Sequence, residues 1–304
     1  MTLESLFKRP SVTTPKVKAL IYGASGVGKT YLSLTAPGRI AMIDTEAGSS
    51  FYADRGLTDY DVLATKSYKE VRDAIKSLGE GNHGYQTVVI DPITTIWETL
   101  QEAASLARKR KRGTDEEVDL ELLDWSKIKR LYKALLTDLV NLPLNVIVTA
   151  REKEDMERKG MELIRVGYKP DSEKGTSYAF DSVIRLVKTD NGRVALIQKD
   201  RTGATDTKVE NPTFETLFPF LASGKKGEAR HLIADHDAAE KDATEVILDP
   251  AGLELSASLR EVLEAAGISA AEVLKKKGWA DFESAPAAGV RAAIEWAKKG
   301  TANG

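Results

Sequence analysis

Gly23-Ala24-Ser25-Gly26-Val27-Gly28-Lys29-Thr30 follows the apolar run Val17, Ala19, Leu20, Ile21 and Tyr22 and precedes a helical stretch, Tyr31 to Leu34. The spacing G-x-x-x-x-G-K-[ST] between a strand and a helix constrains this chain more than any other feature, because it has a specific physical use. Glycines let the backbone wrap phosphate oxygens, and the helix start offers unpaired N–H donors and a favourable dipole. Lys29 reaches the terminal phosphates, and the Thr30 hydroxyl takes Mg²⁺. The bare pattern arises by chance in about one chain in a hundred of this length. Its flanks make an accidental glycine-rich turn the weaker reading.

The 304 residues carry 44 Lys+Arg against 46 Asp+Glu, a formal charge of −2. That balance excludes a protein that coats duplex DNA by bulk charge, so any nucleic-acid contact must be local. There is no cysteine, which removes disulfides, thiolate metal sites and thiol nucleophiles. Residues 1–10 lack the apolar core of a signal peptide, and no run approaches the roughly 20 apolar residues that cross a bilayer. The expectation is a soluble, cytoplasmic protein with no membrane partner.

Apolar runs at Ile40–Ile43, Asp61–Ala64, Thr87–Ile90 and Asn145–Thr149 alternate with helical patterns. Ser67 and Glu70 have the spacing of a capping box, and a helix is predicted near Thr95–Ala107. Trp125, Ile128, Tyr132, Leu135 and Leu139 recur at intervals of 3, 4, 3 and 4 on a helix over Asp124–Asn141. Runs at Ser182–Val187 and Val194–Gln198 flank the dipeptide Asn191-Gly192 as a hairpin. The pattern predicts an α/β fold, a mainly parallel sheet covered on both faces with an antiparallel hairpin at one edge. In such sheets the site lies at the carboxyl ends of the strands, where Gly23, Asp44, Asp91 and Thr149 fall. The expected division is an arm at 1–16, a nucleotide-binding domain at 17–222, a linker at 223–249 and a small helical domain at 250–304. In that last segment Leu259, Val262, Leu263, Val273, Val290 and Ile294 read as core, while Trp97 and Trp125 read as core of the first domain.

Two carboxylates stand out. Asp91 closes an apolar strand, where it is expected to hold the Mg²⁺ water shell. Asp44 and Glu46 end the neighbouring strand, and Glu46 is the better placed to polarise an attacking water. His83, His231 and His236 have no ligand-like partners at a supportive spacing.

With these residues in view, the chain resembles the RecA-like ATPases, and more narrowly the small phage-encoded members of single-strand annealing and recombination modules, over roughly residues 17–205. Ile40-Ala41-Met42-Ile43-Asp44-Thr45-Glu46-Ala47 looks like the family's strand with its catalytic glutamate. Val88-Val89-Ile90-Asp91 resembles its magnesium strand. The resemblance implies a RecA-like P-loop core and an ATPase that uses ATP and Mg²⁺. Thr149 falls where that family senses the γ-phosphate, Arg108–Leu120 in its first DNA loop and Arg151–Gly175 in its second. It also implies single-stranded DNA as partner, assembly as a homo-oligomeric ring or short filament, and an annealing or single-strand-binding protein as a further partner in a host bacterial cytoplasm. ATP is preferred because the guanine-reading Asn-Lys-x-Asp motif is absent.

Gln198-Lys199-Asp200-Arg201-Thr202-Gly203 is similar to the Lys-x-Arg-x-Gly segment of hexameric replicative helicases, whose cations reach the adjacent subunit's nucleotide. A Lys and an Arg two apart on a strand point the same way. Lys199 and Arg201 are therefore expected to enter a neighbour's γ-phosphate site and neutralise transition-state charge. The basic run Arg108, Lys109, Arg110, Lys111 and Arg112, read as a mobile loop, is the first DNA-contact candidate, with acids from Asp115 to Asp124 as competing partners. Arg151 and Lys153 are the candidates in the second loop, and Tyr168 reads as packing beneath it. The function expected is ATP hydrolysis at subunit interfaces in phage recombination or annealing. The alternatives are a helicase or translocase motor and an ATP-gated loader that does not hydrolyse.

Overall fold

Runs of Val, Ile and Leu that are apolar on both faces are satisfied only as strands covered from both sides. In the computed structural model of the chain these runs occupy the centre of one sheet. The residues described are 16–57, 59–201, 204–219, 251–279, 282, 285 and 287–301. The expected arm apart from Lys16, the linker 223–249, Thr202, Gly203, His231 and His236 lie outside them. The chain divides into two compact units, Met1–Leu232 and Ile233–Gly304.

In the first unit β1 (Lys18–Gly23) is buried throughout and lies between β5 (Asn145–Lys159) and β7 (Ser182–Thr189), parallel to both. With β2 (Arg39–Asp44), β3 (Tyr60–Ala64), β4 (Tyr85–Asp91), β8 (Gly192–Asp200) and β9 (Thr207–Glu210), the order is β3-β2-β4-β5-β1-β7-β8-β9. The β7–β8 and β8–β9 pairs are antiparallel. This is the α/β arrangement expected, a mainly parallel sheet ending in an antiparallel edge.

Strand alternation divides the apolar residues between two faces. Leu20, Tyr22, Val88, Ile90 and Val148 face one core with Ile75 of α2 (Tyr68–Glu80), Trp97 of α3 (Ile93–Arg112) and Tyr132 of α4 (Leu122–Asn141). The Trp97 and Tyr132 rings meet edge to face, their centroids 5.0 Å apart, and Trp125 packs against that core. Ala19, Ile21, Met42, Val89 and Ile147 face a second core with Leu32 of α1 (Lys29–Ser33) and Phe214 of α6 (Phe214–Leu217). A short α5 (Thr176–Ala179) precedes β7. Ser67 caps α2, its hydroxyl accepting from the Glu70 N–H at 3.3 Å.

Three expectations are corrected. The basic run 108–112 is no mobile loop but the last turns of α3, which continues past Ala107 to Arg112 and stops at Gly113, φ 65°. Leu, Ala, Lys and Arg are strong helix formers, and cations complement the negative end of the helix dipole. The segment 151–175 is largely strand, because β5 runs on to Lys159 and pairs with β6 (Glu162–Pro170) as a two-stranded ribbon. Its balanced charges are cross-strand partners: Arg165 meets Glu154 at 2.9 Å and Lys169 meets Asp155 at 2.6 Å. Finally, the β7–β8 turn is Asp190-Asn191, and Gly192 already pairs with Thr189. The Asn211 side chain occupies the place a Cβ at 192 would take.

The second unit contains α7 (Ala251–Ala265), α8 (Ala270–Lys277) and α9 (Ala287–Thr301) around Leu259, Leu263, Val273, Phe282, Val290 and Ile294. Among the described residues no helix is long and apolar enough to cross a membrane.

Lys18 is 2% exposed, and its ammonium donates to the carbonyls of Leu142 at 2.6 Å and Leu144 at 2.8 Å, just beyond the end of α4. Lys18→Met leaves both carbonyls without that donor. It is expected to cost about 1–3 kcal/mol in a denaturant melt.

Candidate nucleotide site

The carboxyl ends of β1, β2, β4 and β5 meet around one cavity of about 530 Å³. After Gly23 the chain turns through Ala24–Gly28, and α1 begins at Lys29. Gly28 sits at φ 97°, a left-handed conformation that favours glycine. The Lys29 ammonium donates to the carbonyls of Gly23 and Ala24, each at 2.9 Å. Burial lowers its pKa, against the pull of Asp91 and Glu46.

Asp91, 8% exposed, is the centre of the site. One carboxylate oxygen accepts from the Thr30 hydroxyl at 2.5 Å, and the other accepts from the Thr149 hydroxyl. Burial raises its pKa, while the two hydroxyls and the charge of Lys29 counter part of that effect. Asp44 lies beside Asp91 in the strand register and is also buried. It accepts from the backbone N–H groups of Glu46 at 3.0 Å and Ser49 at 2.8 Å, shaping the turn after β2. Burial alone would raise the Asp44 pKa, but hydrogen bonds from the Ser49 side chain and from the backbone N–H groups of the turn outweigh it, and the net direction is down. Asp44 is therefore committed to the turn, and of the two acids that end β2 it is Glu46 that lines the cavity.

Glu46 is held by Arg151, whose Nε donates at 3.0 Å and Nη2 at 2.5 Å. Arg151 also donates through Nη1 to both Glu98 oxygens, at 2.9 and 3.2 Å. The bond to Glu46 raises the Arg151 pKa, with burial opposing. Arg151, expected among DNA contacts, thus lines the same cavity as Lys29, Thr30 and Asp91. No motif in the sequence marks Glu98, the second partner of Arg151, or the cavity residues Arg193, Tyr31, Tyr52 and Arg55. The two tyrosine rings are 6.5 Å apart, and Arg55 lies over Tyr52 at 5.2 Å. Tyr31 follows Thr30 directly, a local signal that was available. Arg193 arrives from β8, and nothing near it in sequence links it to the loop.

Lys199 and Arg201 are not among the residues lining the cavity of their own chain. The Lys199 ammonium donates to three carbonyls, those of Ser177 at 3.0 Å, Tyr178 at 3.2 Å and Phe180 at 2.6 Å. Burial and the nearby charge of Arg201 lower its pKa. Arg201 meets Asp181 at 3.2 Å and stays 57% exposed.

Among the DNA candidates, Lys153 pairs with Asp171 at 2.8 Å and Arg112 with Glu121 at 3.2 Å. Lys109 reaches the Asp115 carbonyl at 3.4 Å, and Arg108 is taken by Glu121 and Asp124. Arg110 and Lys111 are exposed at the end of α3. Tyr168 packs against the main core, with the Arg185 guanidinium 4.0 Å from its ring centroid. The His83 ring is bonded to the Leu78 carbonyl and the Tyr85 N–H.

A family described as an AAA domain matches residues 15–213. The chain is also similar in structure to the RadB recombinase in its crystal structure, with a TM-score of 0.42 and 22% identity over 64% of this chain and 86% of that one. No curated protein matches the chain.

Asp91→Asn keeps an acceptor oxygen for one hydroxyl and turns an N–H donor to the other, but removes a buried charge whose folded pKa is raised. The variant is expected to melt higher than wild type in the absence of nucleotide. Its advantage should be absent below the unfolded carboxyl pKa of about 3.9 and grow as pH rises through the folded value. Thermal melts across pH 3 to 8, taken as an experimental range of about five units, follow that difference.

Proposed function

The chain belongs to the AAA domain family, and we propose that it is a Mg²⁺-dependent ATPase that binds single-stranded DNA and assists homologous recombination or single-strand annealing in a phage setting. The observation that carries the proposal is the convergence of Lys29, Thr30, Asp91 and Glu46 on one cavity at the carboxyl edge of the sheet. The division into an arm at 1–16, an ATPase domain at 17–222, a linker at 223–249 and a helical domain at 250–304 is part of this reading.

The donor set fits Mg²⁺, which takes oxygen ligands from one or two protein groups and completes its shell with phosphates and water. Thr30 and Asp91 supply a hydroxyl and a carboxylate already in contact, and they are the groups that would hold the ion. When bound, the ion neutralises charge on the phosphate oxygens. Lys29 exchanges its two loop carbonyls for the terminal phosphates. The Glu46 carboxylate accepts a proton from the attacking water. Thr149, bonded to Asp91, links the metal-side carboxylate to β5, the strand that continues into the ribbon. The tyrosine wall offers aromatic faces to a nucleobase.

Arg151 supports dependence of turnover on DNA, because it joins Glu46 to the root of the β5–β6 ribbon. A ribbon displaced by a bound strand would loosen that pairing and free the carboxylate. Exposed Arg110, Lys111, Arg158 and Lys159 are the cations best suited to phosphate contact. For hydrolysis at subunit interfaces, Arg201 is better suited than Lys199 to reach a neighbouring nucleotide. A lysine ammonium has three donors, and those of Lys199 are engaged within its own chain.

ATP hydrolysis with and without single-stranded DNA, at low salt, tests the reading. Lys29→Ala is expected to lose nucleotide binding and turnover together. Glu46→Gln is expected to bind ATP but turn over about 100-fold or more slowly; normal hydrolysis by this variant removes Glu46 as the base. Arg151→Ala is expected to raise turnover without DNA and reduce stimulation by it. DNA that neither binds nor stimulates wild type removes the recombination reading and leaves the ATPase intact.

A further inference from the structure

Arg193 opens β8 at the far side of the phosphate loop from Glu46. Its backbone is pinned by Asn211: the Arg193 N–H donates to Asn211 Oδ1 at 3.3 Å, and the Asn211 N–H donates to the Arg193 carbonyl at 2.7 Å. From this anchor the side chain crosses to the phosphate loop, where Nε donates to the Val27 carbonyl at 2.8 Å. The guanidinium lies so close over Gly28 that a Cβ there would meet Nε at 2.5 Å. Arg193 also lines the cavity.

A guanidinium has five N–H donors in a rigid fork suited to phosphate oxygens, and the Val27 contact uses one of them. Among the described residues no carboxylate forms an ion pair with Arg193, whereas Arg151 on the same cavity is matched by Glu46 and Glu98. Arg193 therefore brings to the loop a guanidinium with no carboxylate in contact, on a cavity that Glu46, Asp91 and Glu152 also line.

We propose that Arg193 is a nucleotide ligand within its own chain, its guanidinium binding the α- and β-phosphates. The inference rests on the reading of the loop as an ATP site. The choice of phosphates follows from the sheet order, in which β2 and β4, bearing Glu46 and Asp91 at their ends, lie on one side of β1 and β8 lies on the other. A terminal phosphate directed at Glu46 points away from β8. The inner phosphates are then the ones within reach of Arg193, which braces the loop and reads the ligand's charge at once.

The test titrates Mg·ADP and Mg·ATP into the full chain, as wild type, Arg193→Met and Arg193→Lys, and follows thermal unfolding without nucleotide. Methionine keeps an apolar stem over Gly28 but removes the charge and the fork. Arg193→Met is expected to bind ADP and ATP alike about tenfold or more weakly. Its nucleotide-free melting point should fall by no more than the loss of the single Val27 hydrogen bond accounts for, and Arg193→Lys should recover part of the affinity. Affinities of Arg193→Met within about twofold of wild type for both nucleotides overturn the inference. So does a loss confined to ATP, which would assign the residue to the terminal phosphate. An equal loss in both variants together with a nucleotide-free melting point lowered beyond that amount reduces Arg193 to a structural brace. If wild type itself binds neither nucleotide, the ATP reading falls; if wild type binds and Arg193→Met matches it, only the role of Arg193 does.

Discussion

The site depends on a carboxylate held away from water between two hydroxyls. Asp91 ends β4 near the middle of the sheet, and its two oxygens are engaged by Thr30 of α1 and Thr149 of β5. A buried carboxylate is tolerated only when its oxygens are hydrogen-bonded and a positive charge is close. Thr30, Thr149 and Lys29 meet those conditions, and in doing so they register the phosphate loop against two parallel strands. Asp44, one strand away, takes its partners from the following turn. The two neighbouring acids thus avoid competing for Lys29, and Glu46 is presented to the cavity.

Charge around the cavity is distributed by strand position. Arg151 stands where β5 leaves the sheet and enters the ribbon, and its paired acids come from the turn after β2 and from α3. The ribbon draws its partners from its own two strands and from the sheet at its base. Cross-strand ion pairs link Arg165 to Glu154 and Lys169 to Asp155, and the Tyr168 ring receives both Arg165 and Arg185. At the base, the Tyr22 hydroxyl bonds the Tyr168 carbonyl at 3.0 Å and Gln198 at 2.6 Å. That contact joins the ribbon to β1, one residue before Gly23, and to β8 near Lys199.

The strand–loop–helix around Gly23–Thr30 was legible because every part of it is local: an apolar run, glycines at fixed offsets, and a helix start. The strands ending at Asp44 and Asp91, and the α4 stripe from Trp125 to Leu139, were legible for the same reason. The ribbon was not. Its first strand past the sheet, Glu152–Lys159, is charged at every position but Met156, and only pairing with β6 turns that balanced charge into partners. The helix carrying Arg108–Arg112 was cut short because a dense basic run resembles a solvated loop, although its residues favour helix and Gly113 marks the stop.

The sequence alone therefore determined the groups available to this chain: a glycine-rich loop ending in a lysine and a hydroxyl, and acids at the ends of two neighbouring strands. It also determined the α/β architecture, since apolar periodicity and glycine placement act over a few residues. Which charges remain uncommitted was decided only by the tertiary structure. Arg151 and Lys199 are each read locally as contact residues, yet long-range pairing ties the first to Glu46 and Glu98 and the second to three carbonyls. Arg193, from another strand, lies over Gly28. Electrostatic partners are chosen by distance in space, and a sheet that interleaves its strands out of chain order brings together residues that the sequence keeps far apart.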